Sequence, residues 1–519
     1  MKRFFCLFCC AALLLLPFPP GADAALPSDF TIRIGLSVGG NALTGANLDN
    51  HTGLGYEFGY LGENDVFIPL GSTGEKQITM VKNRNVYLSG STYSDTPGGD
   101  LVGAFHNNLG SYAGRGEAET AAASYRAQGF PAFVSFSGGV WAVRSGSYAD
   151  SGGSTRVSGS KYCISVVRTG TTDILFQFDY GETFHLCVRP LSADGAKPVT
   201  WHKGNAYYGA FEFRRLDGND IHVINAVGID DYIKGVIPSE MHSTWPLEAL
   251  KAQAVCARTY AAGNLNRHRS GGYDLCNNTH CQMYEGTRKA NALTDQAVDE
   301  TAGQYFTYNG VACKTAVYHS SSGGATENSE NVWNEALPYL RGIVDSYEDA
   351  VAIPEYIWQY TCTNEDLSAL LTSRGIAHNG VSNFYIQKYT DTNNVYAVAF
   401  VDRNGNLITT FTKEAARTYM NFGGNKKNKS MRYNIYSGSS VLSVTGPGGS
   451  AVSAGDPASL YALGGSGELQ PVAGAGGEIT VISGDGLHTI PLQQPSGGSG
   501  DGVYTVIGRG SGHNVGMSQ

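Results

Sequence analysis

Residues 232–260 read YIKGVIPSEMHSTWPLEALKAQAVCARTY. A single acid in the first half of this stretch, Glu240, sits between an apolar approach and a long amphipathic segment. Upstream, Ile221, Val223, Val227 and Ile229 alternate as in a half-buried strand. Pro238 stops that strand, so Ser239, Glu240 and Met241 are expected on a loop or a first short turn. Pro246 stands where proline starts a helix at little cost. Leu247, Leu250, Ala254, Ala257 and Ala261 recur at helical spacing, and the small residues predict a face packed closely on another element. Glu240 is thus expected just ahead of a buried helix, beside Met241 and Trp245, a rigid and apolar support that suits a general acid. The alternative for this residue is a surface or helix-capping carboxylate.

The chain has 519 residues, enough for two or three domains. Its net charge is -9 and only 16% of residues are charged, which excludes a nucleic-acid binder relying on a basic surface. Met1-Lys2-Arg3, the apolar run from Phe4 to Phe18, and Ala22-Asp23-Ala24 form a signal-peptide pattern over residues 1–24. A secreted protein, held in the cell wall or at the outer face of the cytoplasmic membrane, is expected. The alternative is an uncleaved anchor, and only then is a membrane a partner. Cys9 and Cys10 fall within the apolar run rather than after it, which argues against lipidation. Beyond that segment lie Cys163, Cys187, Cys256, Cys276, Cys281, Cys313 and Cys362, and this odd number leaves at least one outside a disulfide. Cys163 and Cys187 fit either a cross-strand disulfide or two buried small hydrophobes.

Residues 25–115 carry short alternating runs among glycines and predict strands and turns. Glu117 to Gln128 predicts a helix closed by Gly129, followed by two strands joined at Gly138-Gly139. With Trp141, Val143, Gly146 and Tyr148 in order, residues 116–155 resemble the small sporulation-related repeat domain that binds bare glycan strands. The alternative is an ordinary α/β module. Between 345 and 437, ALLTSRG reads as a helix end, NFYIQKY and VYAVAFVD as strands, and KEAARTYMN as a short helix. The stretch of about 440–500 is rich in Gly, Ser, Pro and Ala and reads as an insertion or small peripheral hairpin, with strand-like GEITVI and HTIPL. VYTVIGRG resumes a strand. The fold class expected is α+β: a strand-rich catalytic domain over 156–519 with a buried amphipathic helix, plus a small α/β N-terminal module.

Three polar clusters carry further chemistry. Cys276, His280 and Cys281, in CNNTHC, are soft ligands that suit zinc, with Cys313 or His319 as the fourth. The spacing is C-x3-H-C rather than the C-x2-C pair of a structural finger. The alternative is a Cys276–Cys281 disulfide with His280 as a polar loop residue. His319-Ser320-Ser321-Ser322-Gly323-Gly324 follows a strand and is suited to orient sugar hydroxyls or to hydrogen-bond to Glu240. Neither G-x-S-x-G nor S-x-x-K with its companions supports a serine hydrolase. Asn328, Glu330, Asn331 and Trp333 read as a sugar-facing edge, and Glu327 and Glu330 as rivals for the second carboxylate of an ordinary glycosidase. In the last cluster, Gly510, Gly512 and Gly516 let backbone approach a ligand, with Arg509, His513, Ser518 and Gln519 between and beyond them. His513 is expected to orient or bind rather than to ligate a metal.

Together these segments resemble stage II sporulation protein D and the related amidase-enhancer proteins. Tyr232, Gly235, Val236, Glu240, Met241, Trp245, Pro246, Glu248, Ala249, Leu250, Lys251, Gln253, Arg258, Thr259 and Tyr260 fit the first motif of that family. Cys276, His280, Cys281 and Gln282, then Tyr318 to Ser320 with Ser322, Gly323, Gly324 and Thr326, then Gly510, Gly512, His513 and Gly516 to Gln519 fit the later ones. The resemblance covers about 200–519. It implies a lytic transglycosylase that cleaves between N-acetylmuramic acid and N-acetylglucosamine in peptidoglycan glycan strands stripped of stem peptides. Glu240 would serve as acid and then base, leaving a 1,6-anhydro product. The alternative is a non-catalytic, glycan-binding enhancer of a cell-wall amidase. Expected substrate contacts are Tyr232, Met241, Arg258, Tyr260, His319, Ser320, Ser322, Asn331, Arg509, His513 and Gln519. Two departures are visible. Family members usually continue beyond the M-S-Q segment, and the long N-terminal region with its signal pattern replaces the plain membrane anchor of the sporulation protein.

Overall fold

The computed structural model describes residues 30–193, 195–348, 356–437 and 502–519, and the backbone of short strands between 443 and 491. The signal pattern over 1–24 lies outside the described residues. The chain divides into two compact units, Met1–Thr315 and Ala316–Gln519. Strands and helices together make an α+β architecture dominated by strands. No described helix is long and apolar enough to cross a membrane.

The first unit is built on two sheets. The seven-stranded one runs Leu275–Cys276, Thr31–Ser37, His222–Gly228, Ala210–Arg214, Leu186–Pro190, Tyr56–Leu61, Phe67–Thr73. The ten-stranded one includes Phe105–Tyr112, Val140–Tyr148, Ala132–Ser137, Ile174–Asp179, Ile164–Arg168 and Gln77–Lys82 as consecutive neighbours. Side chains alternate across a strand, so every second residue faces inward. Ile32, Ile34 and Phe58 from one sheet and Ile78, Met80, Val166 and Phe176 from the other share one core. Phe58 and Phe176 stack with ring centroids 5.4 Å apart. Residues 30–115, the 116–155 segment and the chain up to 315 are therefore parts of one unit.

The segment read as a repeat module has the order expected. Helix α1, Arg115–Ala127, buries Ala118 and Ala122, and the strands Ala132–Ser137 and Val140–Tyr148 meet at Gly138 and Gly139, both with positive φ. Val140–Tyr148 lies between Ala132–Ser137 and Phe105–Tyr112, antiparallel to both, which makes a split β-α-β. Ala132–Ser137 also pairs in parallel with Ile174–Asp179, so the segment is stitched into a larger sheet. Its second face is buried. Gln177 donates to Asn83, His106 lies against the same amide at 3.1 Å, and Arg144 donates to Gln177. Trp141 packs on Phe136, and Tyr148 lies under Arg156.

One prediction changes at the centre. The run after Gly228 is not a continued strand. Ile229 to Glu240 forms helix α2, with Gly228 at its N-cap. Ile229, Tyr232, Ile233, Val236 and Ile237 are buried at i, i+3, i+4, i+7 and i+8, a helical stripe that strand-like Val227 and Ile229 obscured. Pro238 sits in the last turn, and the helix ends two residues later. Gly235 is required there, since a Cβ would stand 2.5 Å from the Tyr284 ring. Helix α3, Leu247–Gly263, follows Pro246 and buries Leu250, Ala254, Ala257, Arg258 and Ala261. Helix α4, Ala292–Asp299, is capped by Asn291 in a capping box.

No disulfide joins any of the seven described cysteines. The disulfide alternative for Cys163 and Cys187 fails because Cys163 precedes a strand of the ten-stranded sheet whereas Cys187 lies in the seven-stranded one. Both are buried small side chains.

In the second unit, Val503–Arg509 is the central strand between Ile357–Thr363 and Arg432–Ser437. Val381–Tyr389, Val395–Asp402 and Leu407–Thr412 form a second three-stranded sheet, and Asn364–Ser373 and Ala415–Thr418 are helices, as read from sequence. In the glycine-rich stretch Glu478–Ser483 pairs with Gly486–Pro491 as a hairpin.

Candidate active site and metal centre

Glu240 is the last residue of α2 and is partly buried. Its Oε1 accepts a hydrogen bond from the backbone N–H of Met283 at 2.9 Å. Met283 follows Cys281 and Gln282, so the loop carrying CNNTHC ends by holding the carboxylate. Gln282 is buried, accepts from the Tyr232 hydroxyl at 3.1 Å and donates to the Ala257 carbonyl at 3.4 Å. The loop is thereby fastened to both α2 and α3. Met241 is buried in the core, while Trp245, at the tip of the α2–α3 connection, is exposed.

The cysteine–histidine cluster has four members. His268, Cys276, His280 and Cys281 each offer a ligand atom, all within 4.8 Å of one another. His268 Nε2 lies 3.3 Å from Cys281 Sγ, and His280 Nδ1 lies 3.5 Å from both sulfurs. Tetrahedral coordination at the usual zinc bond lengths separates ligand atoms by roughly 3.5 Å. Two thiols and two imidazoles at these separations are able to hold a divalent metal ion. The fourth candidate ligand is not one of the two expected. Cys313 is not in the cluster, and His319 belongs to the second unit. His268 was missed because it precedes the motif by eight positions and is brought alongside by the 269–275 turn, where the His268 and Tyr273 rings stack at 4.8 Å.

Other expected contacts have intramolecular roles. Tyr232 is wholly buried, with its ring 4.9 Å from that of Tyr284. Arg258 is also wholly buried. Its Nε and Nη2 donate to Asp230 Oδ1 at 2.9 and 2.8 Å, and Nη2 donates to the Val298 carbonyl at 3.2 Å. Arg258 thus joins α3 to α2 and α4 from inside. The Tyr260 hydroxyl accepts from Arg267 at 3.2 Å.

The remaining expected contacts lie in the second unit. Tyr318–His319 pairs in parallel with Met517–Ser518, and Gln519 donates its N–H to the His319 carbonyl. Burial pushes His319 down to about 4 and His513 to about 3, so both imidazoles are neutral. The His513 ring lies 5.0 Å from Trp333 and 5.5 Å from His319. Ser320 is exposed and Ser322 buried, and the Arg509 carbonyl accepts from Ser430. Asn331 donates to Glu327. Glu327, nearly wholly buried, also accepts from Asn328, Thr390, Thr392 and Asn394. Glu330 is clasped by Arg341. Both rival carboxylates are therefore engaged in holding their own unit together.

Residues 217–308, which contain α2, α3 and the cysteine–histidine cluster, match the family described as stage II sporulation protein, SpoIID. The chain carries a SpoIID domain. Residues 103–153 match the SPOR domain, a span that adds the strand Phe105–Tyr112 to the segment recognised from sequence. Over 301 residues the chain is 29% identical to an amidase enhancer of Bacillus subtilis, covering 55% of this chain and 36% of that protein. Over 141 residues it is 33% identical to stage II sporulation protein D of the same organism, covering 24% and 40%. An uncharacterized protein of Brachyspira hyodysenteriae is 42% identical over 141 residues, covering 27% and 38%. The chain spans no more than about two fifths of these relatives' lengths.

Proposed function

We propose that this protein is a peptidoglycan lytic transglycosylase acting at the cell wall on glycan strands stripped of stem peptides. The observation that carries the reading is the placement of Glu240, at a helix end, with its carboxylate oriented by the Met283 N–H. A transglycosylase needs only one carboxylate, whereas an ordinary glycosidase needs two. Protonated Glu240 gives its proton to the bridging oxygen as the bond from that oxygen to muramoyl C1 breaks. The muramoyl C6 hydroxyl oxygen bonds to C1 and its proton returns to Glu240. The product carries a 1,6-anhydro ring, and no water is consumed.

His268, Cys276, His280 and Cys281 hold zinc in this reading, with a structural role. The ion would fix the loop whose next residues place Gln282 and the Met283 N–H. The SPOR segment engages the glycan polymer. Because its strands are shared with a ten-stranded sheet, it does so as part of the first unit rather than as a detachable module.

The test is mass spectrometry of amidase-treated glycan strands after incubation with the protein. Anhydro-ended fragments that vanish with Glu240→Ala support the reading, with an expected rate loss of about 10²–10⁴. Reducing ends would instead mark a hydrolase. The name of the amidase-enhancer relative favours a second reading, a glycan binder that assists a cell-wall amidase. Absence of cleavage, with faster stem-peptide removal by an added amidase, would establish that one.

A further inference from the structure

We propose that the cysteine–histidine cluster is a redox switch on the Glu240 carboxylate. Exchange with an external disulfide joins Cys276 to Cys281, empties the cluster, and pulls away the loop that holds Glu240 through Met283. The effect on cleavage rests on the transglycosylase reading above, while the thiol chemistry and the loop movement rest on geometry.

Exposure selects the reacting sulfur. Of the seven described cysteines six are buried, and Cys281 alone is not. Asn278, Thr279 and His280 just before it are exposed. A second sulfur stands behind it: Cys276 is buried, and its Sγ lies within 4.8 Å of Cys281 Sγ. A reachable sulfur backed by a resolving one is the arrangement of a redox-sensing pair. Sulfurs that bind a metal ion do so as thiolates, the form that attacks a disulfide.

The co-reactant is a small-molecule disulfide. The Cys281 sulfur attacks one of its sulfurs, the disulfide bond breaks, and one thiolate leaves. The Cys276 sulfur then attacks Cys281 Sγ, and the second thiolate leaves. Two electrons pass from the two cysteines to the reagent, which departs as two thiolates and takes up its protons from solvent. His268 and His280 remain, too few for a four-ligand structural site.

The sheet decides which sulfur moves. Two sulfurs on one zinc ion stand roughly 3.8 Å apart, and a disulfide draws them to about 2 Å, a closure of about 1.7 Å. Cys276 is pinned. Its strand pairs in parallel with Thr31–Ser37, Gly35 opposite Cys276, and Leu275 is wholly buried. Asp274, just before, accepts from the backbone N–H groups of Arg33 and Asn266 at 2.8 Å each. Cys281 ends an exposed loop, with its N–H donated only three residues back, to the Asn278 carbonyl at 3.0 Å. Cys281 therefore travels, and Met283 is two residues further on. The Met283 N–H reaches Glu240 Oε1 at 2.9 Å. A separation of about 3.6 Å is no longer a hydrogen bond, so less than half of the sulfur's travel ends this one.

The test equilibrates full-length, zinc-loaded protein with mixtures of reduced and oxidised glutathione. As the mixtures become oxidising, zinc is expected to leave in step with the appearance of a tryptic peptide, Ser270–Arg288, lighter by two hydrogens. Hydrogen exchange at the Met283 amide should quicken by about tenfold. Release of anhydro-ended fragments should fall by about tenfold to a hundredfold, the effect of a displaced catalytic group. Dithiothreitol with zinc should reverse all four. Zinc and both thiols retained in the most oxidising mixture would overturn the switch. A disulfide that forms with Met283 exchange unchanged would overturn it too, by cutting the link to Glu240. A disulfide present from purification that dithiothreitol does not open overturns the metal site as well. Absence of anhydro fragments from the reduced, zinc-loaded protein overturns the transglycosylase reading alone, and zinc loss with Met283 exchange still decides the switch.

Discussion

Arg258 separates a substrate-contacting role from a supporting one, and the structure predicts the second. Replacing it by alanine removes a wholly buried guanidinium that makes two bonds to Asp230 and one to Val298. Breaking a buried ion pair from one side costs about 3–5 kcal/mol. The Asp230 side chain is 35% exposed and regains some hydration, which places the expected loss near the lower end, about 3 kcal/mol. For a unit running to Thr315 each kcal/mol moves the melting temperature by roughly 1.5–2 °C. Arg258→Ala should therefore lower the first unit's transition by about 5 °C in differential scanning calorimetry. Activity measured well below that transition should fall only as far as α2, and Glu240 with it, shifts. A variant that melts like the wild type yet neither binds nor cleaves glycan would refute this reasoning and return Arg258 to the substrate.

Glu327→Ala strands donors from Asn331, Thr390, Thr392 and Asn394 and should destabilise the second unit by about 3 kcal/mol or more; unchanged melting with abolished cleavage would make Glu327 catalytic. Protein purified without added zinc should carry about one zinc per chain, and His268→Ala should lower that occupancy; a metal-free Cys276–Cys281 disulfide would overturn the site. Burial depresses His106, His185 and His319 to about 4 and His513 to about 3, from an ordinary 6.5. Above pH 6.5 these groups are neutral folded or unfolded and contribute nothing; below it the unfolded chain takes up protons first, so urea midpoints should fall between pH 6.5 and about 4. A flat profile over that range would contradict their burial.

Most local structure was legible because it is periodic. The α3 stripe, the hairpin at Gly138-Gly139 and the strands 381–389 and 395–402 follow from apolar spacing and turn glycines. The α2 helix was misread because β-branched isoleucines and valines satisfy strand and helix periods equally over a short run. What decided it was tertiary: Gly235 lets the helix lie on Tyr284, and the stripe Ile229–Ile237 has a core to enter. The motifs singled out the candidates for chemistry, since Glu240, Cys276, His280 and Cys281 stand out by type and spacing alone. Only the folded chain could supply His268 as a fourth candidate ligand, the Met283 N–H as the carboxylate's holder, and the interior partners of Tyr232, Arg258 and Glu327. A ligand set or a buried network is a matter of distance in space, and sequence spacing reports that distance only within one turn of helix, one strand pair or one short loop.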